Sequence, residues 1–141
     1  MIEQLTRQLR RDEGVRSQMY YDSEGCATIG VGRLIDARRG DGLRESEIDY
    51  LLANDIEEVV AALRDRLAWF DSLNEARQGV LANMAFNLGV DGLLAFRKTL
   101  ALVERGDYDA ASVEMLDSKW ARQVGQRAQR LSEQMRTGRW V

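Results

Sequence analysis

The sequence predicts an α+β fold that is mainly α: a small antiparallel-sheet lobe near the N-terminus, one long helix, then a helical C-terminal lobe. Three observations predict it. Short β-prone runs flank a turn-prone Asp22-Ser23-Glu24-Gly25. Apolar residues then recur at helical spacing over 45–69. The apolar runs after that also read as helices, and the chain contains no proline to break them. The expected lobes are 13–43 for the sheet and 70–141 plus 1–12 for the helices, with 45–69 connecting them in one domain of 1–141.

Taken in order, Ile2, Leu5 and Leu9 predict a helix over 2–13, and Gly14 is its stop signal. Tyr20-Tyr21 and 27–31 read as strands on either side of the turn. Gly30 and Gly32 form an alternating pair, but no third glycine or helix follows, so this is not a dinucleotide fingerprint. A third short strand fits between Val31 and Leu43, and 36–42 reads as a turn or loop. In the long helix Ile48, Leu51, Leu52, Ile56, Val59 and Leu63 share one face, with Asp55 the polar exception.

Ser72 with Glu75 has capping-box spacing. Ala76, Val80, Leu81, Met84, Ala85 and Phe86 predict the central helix of the second lobe. Short helical pieces follow at 93–96 and 99–104, then a helix capped by Asp107, a turn at 118–121, and a last helix over 126–135. Trp69, Phe86, Phe96, Trp120 and Trp140 read mostly as core, with Trp140 anchoring the chain end.

Composition narrows the function. A chain of 141 residues supports one domain, or two small lobes that share a helix. A net charge of −3 with only short arginine pairs, read as solvated surface, argues against a concentrated nucleic-acid face. The chain has no histidine, which removes histidine triads and histidine-ligated metals. One cysteine, Cys26, forbids an internal disulfide and reads as core filler. No metal or other cofactor is expected. No apolar run approaches a membrane span, and the first residues lack the apolar core of a signal peptide. Synthesis in a cytoplasm is the expectation.

The remaining acid and base groups include carboxylates. Glu13 falls in the last turn of the first helix, whose negative end favours a proton-bearing form. A hairpin would carry Asp22 and the hydroxyl of Thr28 back toward it. Two carboxylates and a hydroxyl around a cleft suit acid/base cleavage of a glycosidic bond. Solvated surface groups are the commoner role of such residues taken alone.

Three separated blocks add weight. They are Arg11-Asp12-Glu13-Gly14 with Tyr20, Asp22, Gly25 and 28–32; Asn83, Phe86, Asn87 and Gly89; and Ser118-Lys119-Trp120, Arg127 and 136–140. Together they make the sequence resemble the bacteriophage lysozyme (muramidase, endolysin) family over nearly its whole length. The resemblance implies a lysozyme-like fold that cleaves the β-1,4 bond between N-acetylmuramic acid and N-acetylglucosamine in peptidoglycan. It implies Glu13 as general acid, Asp22 as second carboxylate and Thr28 as a holder of the attacking water. It also implies that Arg127 pairs with the catalytic glutamate and that Asn87 contacts substrate. The chain departs from the family at Arg33, where relatives carry histidine. An Arg33–Asp55 ion pair is the expected replacement, since a carboxylate on an apolar face needs a partner.

The expected partner is peptidoglycan, with no nucleic acid, no stable membrane insertion and a monomeric state. Lacking an export signal, the enzyme is expected to be made in a host bacterial cytoplasm and to reach the wall through a separate membrane-opening protein. A lytic transglycosylase and a non-catalytic wall-binding domain are the competing readings.

Overall fold

The computed structural model describes residues 2–31, 33–35 and 42–141. Gly32 and the 36–41 part of the expected loop lie outside them. The chain divides into two compact units, Met1–Leu51 and Leu52–Val141, with the boundary inside the long helix.

In the first unit α1 (Ile2–Glu13) forms as its spacing predicts. Gly14 ends it at φ +77, its N–H bonding the Arg10 carbonyl at 3.1 Å. Only Gly14 and Val15 separate α1 from β1, so α1 groups with the sheet, whereas the sequence grouped 1–12 with the helical lobe. β1 (Arg16–Tyr21) starts earlier than its own pattern suggests, because pairing with β2 (Ala27–Gly30) recruits Arg16 opposite Gly30 through an irregular register. β3 (Arg33–Leu34) is the expected third strand. Among the described residues the sheet is antiparallel in the order β1-β2-β3, with β2 central.

The hairpin loop is Ser23-Glu24-Gly25. The Asp22 N–H donates to the Cys26 carbonyl at 2.9 Å, and the Gly25 N–H to the Asp22 carbonyl at 2.9 Å. Gly25 has φ +76, the left-handed residue that lets a three-residue loop rejoin its ladder.

The long helix α2 (Glu45–Arg66) runs from one unit into the other. It stops before Trp69, and the chain tightens into a 3₁₀ turn, Phe70–Ser72, that buries Phe70 completely. Of the expected apolar face, Leu63 is fully buried, while Leu51, Leu52 and Ile56 are about 45 % exposed.

The second unit holds the apolar core. α3 (Glu75–Leu88) contributes Ala76, Val80, Leu81, Met84 and Ala85. Its cap is Asn74, not Ser72: the Asn74 Oδ1 accepts from the Arg77 N–H at 3.0 Å. Ser72 belongs to the turn before it, where its hydroxyl donates to the Trp69 carbonyl at 2.6 Å. Short α4 (Val90–Leu94) and α5 (Arg97–Glu104) follow. α6 (Tyr108–Leu116), capped by Asp107 as expected, packs on α5 and on α8 (Gln126–Thr137). Where a single turn was expected after Ser118, the chain forms helix α7 (Lys119–Val124), with the Ser118 hydroxyl accepting from the Ala121 N–H at 3.0 Å.

The C-terminal end of α8 is stitched to the start of α3. Gln134 Nε2 donates to the Ala76 carbonyl at 2.7 Å, Arg77 Nε to Met135 O at 2.8 Å, and Asn74 Nδ2 to Gly138 O at 2.9 Å. The Met135 and Gly138 carbonyls lie at the end of α8, where a helix leaves its last carbonyls open. Two aromatic residues expected in the core are exposed instead, Phe86 by 48 % and Trp140 by 66 %. The Trp140 ring comes close to Gly79, where an added Cβ would come within 2.7 Å of ring atom Cζ3. The missing side chain at Gly79 makes that close approach possible.

Candidate active site

Thr28 sits on the central strand, with Tyr20 and Leu34 as its cross-strand partners, and is 3 % exposed. Its hydroxyl donates to the Cys26 carbonyl at 3.0 Å. That carbonyl also receives the Asp22 N–H, so one acceptor holds both expected site residues. Tyr20 and Thr28 are cross-strand partners on one face of the sheet, and Asp22 follows β1 at the start of the turn.

Asp22 shapes the turn as well. Its Oδ1 accepts from the Glu24 N–H at 2.9 Å and the Cys26 N–H at 2.8 Å. Such an Asx arrangement fixes the side-chain rotamer. Oδ2 meets no partner among the described residues. Cys26 is buried, as a core filler should be. Glu13 ends α1 in the same unit and is exposed. Within that unit its carboxylate meets no hydrogen-bond or ion-pair partner among the described residues.

The guanidinium that the sequence pairs with Asp55 is engaged inside the first unit. Arg33 Nη1 donates to Glu47 Oε1 at 2.6 Å and to the Gly42 carbonyl at 2.9 Å. The Arg33 hydrogen bond is the chief reason that the Glu47 carboxyl is held below its ordinary range, helped by the Arg44 N–H. Asp55 is exposed on α2. Glu47 was not singled out in the sequence. The available signal was its place three residues after Arg44 at the helix start, from which a glutamate reaches back to the cap N–H.

Asn87 and Arg127 belong to the second unit. Asn87 Oδ1 accepts from Trp120 Nε1 at 2.9 Å, which orients the amide, while the residue stays exposed. Trp120 is buried and meets Phe96 edge-on with ring centroids 6.1 Å apart. Arg127 donates from Nε and Nη2 to Asn83 Oδ1 at 2.9 and 2.7 Å. Sequence reasoning placed Asn83 in a motif without giving it this role. Arg127 and Asn83 form the polar edge of a pocket of about 310 Å³ whose walls include Phe86 and Trp140.

Among the described residues no group of three or more Cys, Asp or Glu is placed to hold a metal ion. No described helix is long and apolar enough to cross a membrane.

A small hairpin sheet bearing a carboxylate and a hydroxyl, a long helix, and a helical unit that follows it in the chain define a lysozyme-like glycosidase with a T4-lysozyme-like fold. The chain belongs to the phage lysozyme family, whose sequence profile matches residues 10–137. It is similar to probable T4-type lysozyme 2 of Dictyostelium discoideum, 26 % identical over 98 % of this chain and 96 % of that protein. It is 28 % identical to an endolysin of Acyrthosiphon pisum secondary endosymbiont phage 1, over 81 % of this chain and 75 % of that one. The pre-baseplate central spike protein Gp5 of Enterobacteria phage T4 is 31 % identical over 92 % of this chain, which spans 27 % of its length.

Proposed function

We propose that the chain is an endolysin-type muramidase that hydrolyses the β-1,4 bond between N-acetylmuramic acid and N-acetylglucosamine in peptidoglycan. The observation that carries the reading is the Asp22–Thr28 arrangement. Both residues bond to the Cys26 carbonyl, one through its backbone N–H and the other through its hydroxyl. With its proton given to that carbonyl, the Thr28 hydroxyl offers lone pairs to a water. Asp22 Oδ1 is occupied by two N–H groups, so Oδ2 is the oxygen that takes the water's proton.

In this reading Glu13 donates a proton to the leaving oxygen as the glycosidic bond breaks. The water forms the new bond to the muramic acid carbon, and its proton passes to Asp22. A water held by Thr28 and Asp22 as the nucleophile is the inverting mode, so the β-linked substrate gives the α-anomer first. Asn87 contacts substrate through an amide oriented by Trp120. Arg127, held by Asn83, supports the acid. Release to the wall depends on a separate membrane-opening protein. Expression inside a bacterium without that partner should leave the cells intact, and lysis under that condition contradicts the dependence.

Purified peptidoglycan supplies the main test. Clearing by the wild-type chain should fall about 10²–10⁴-fold in Glu13→Gln, because the amide keeps the shape but has no acid proton to give. Products heavier by one water support hydrolysis. Anhydro products indicate transglycosylation, and binding without product indicates a wall-binding domain. Initial β-anomer by NMR rules out inversion.

A further inference from the structure

β3 is a two-residue edge strand, yet it adjoins the strand that carries Thr28. It pairs at Thr28↔Leu34 and Ile29↔Arg33, and the Ile35 N–H adds a bond to the Ala27 carbonyl at 2.8 Å. Strands this short have little stability of their own. Beyond the sheet, Arg33 Nη1 reaches both the Gly42 carbonyl and Glu47 Oε1. The same Oε1 accepts the Arg44 N–H at 2.7 Å. One carboxylate oxygen therefore joins the edge strand to the first turn of α2. Both side chains of the pair are partly buried, 23 % exposed for Arg33 and 34 % for Glu47.

We propose that Arg33 and Glu47 are positioning residues for the glycosidase reaction, clamping β3 against β2 so that the Thr28 hydroxyl stays in register with Asp22. The proposal rests on the reading of Thr28 and Asp22 as the groups that hold the water. Hydroxyl position matters because a 1 Å misplacement of a reacting group costs roughly 10²-fold in rate. The clamp acts through backbone. Arg33 bonds the helix start, its strand neighbour Leu34 pairs with Thr28, and Thr28 carries the hydroxyl.

The experiment compares Arg33→Ala, Glu47→Gln, the double variant and Arg33→Lys for kcat, KM and amide exchange at Ile35. Glu47→Gln keeps an oxygen for the Arg44 N–H, so it tests the clamp apart from the helix cap. Each of these two single variants should lose about tenfold in kcat, below the full misplacement cost, with KM changed less than about twofold, the pattern of a lost transition-state contact. The double variant should be no worse than Arg33→Ala. Arg33→Lys should recover most of kcat, because one ammonium can donate to both acceptors. Exchange at Ile35 should quicken when the clamp is cut. Unchanged exchange at Ile35, or kcat losses that multiply in the double variant, overturns the proposal. Thr28→Ala is the parallel control. If it keeps wild-type kcat while Ile35 exchange quickens in Arg33→Ala, the reading of the hydroxyl has failed and the clamp has not.

Discussion

In the helical unit Leu63, Phe70, Val80, Leu81, Met84 and Met115 are closed to solvent. Among the described residues of the sheet unit, one apolar side chain, Cys26, is buried to a comparable degree. The first region is held by excluded apolar surface. Among the described residues of the second, the contacts that stand out are directed polar bonds: the Asp22 turn, the Thr28–Cys26 bond and the Arg33–Glu47 clamp. Apolar burial is worth about 25 cal/mol per Å², so its loss grows with the size of the side chain removed. A hydrogen bond is worth about 1 kcal/mol net and is lost whole when one partner goes. The proposed chemistry lies in the second kind of region. Asp22 and Thr28 serve it with atoms that also hold the hairpin together.

The sharpest test of this contrast is Phe70→Ala. Removing a fully buried ring from the helical unit should cost about 3–5 kcal/mol, measured by chemical denaturation. Activity of the molecules still folded at low temperature should be near normal, because no proposed site residue relies on that ring. A cost below about 1 kcal/mol would mean the core is not the support described here.

Asp22 probes the other region with two substitutions. Asp22→Ala leaves the Glu24 and Cys26 N–H groups without their acceptor and should cost about 1–3 kcal/mol as well as all activity. Asp22→Asn keeps an oxygen for both N–H groups, so stability should stay within about 0.5 kcal/mol while activity is still lost. If the asparagine variant remains active, the carboxylate serves the turn alone. If it is as unstable as the alanine variant, the bonds need the charge and not merely an oxygen.

The smallest effect is pH dependence. Arg33 lowers the Glu47 carboxyl in the folded chain, so its contribution is present above the ordinary unfolded glutamate value of about 4.3 and is lost as pH falls through the lower folded value. Acid should therefore loosen the sheet unit at β3, seen as faster exchange of the Ile35 amide, and Glu47→Gln should remove that acid dependence. An identical acid response in wild type and variant would assign the loosening to another group. A double-mutant cycle of Arg33 with Asp55, run beside Arg33 with Glu47, would show whether the expected Asp55 pair adds any coupling.

The sequence alone determined what short-range physics controls. Ile2, Leu5 and Leu9 at helical spacing placed α1, and Gly14 placed its end to the residue. Asp22 through Gly25 specified the hairpin, because those residue types accept the backbone angles the loop requires. The Asp107 cap and the run of α3 were legible for the same reason: each depends on residues within a turn of one another. Glu13, Asp22 and Thr28 were legible as candidates through their chemistry and spacing.

Tertiary structure decided what depends on distant chain segments. β1 extends back to Arg16 because Gly30 pairs with it, and no local pattern marks Arg16 as strand. Asn74 caps α3 because the 3₁₀ turn that seats Phe70 in the core uses Ser72 first. Trp140 stays exposed while its ring closes on Gly79, 61 positions earlier, which has no side chain to keep it away. Glu47 meets Arg33 because the chain returns from β3 to the start of α2, which brings together charges 14 residues apart. Charge and periodicity can be read along a chain, but the partner of a side chain is set by packing between segments, and that information exists only once they have folded together.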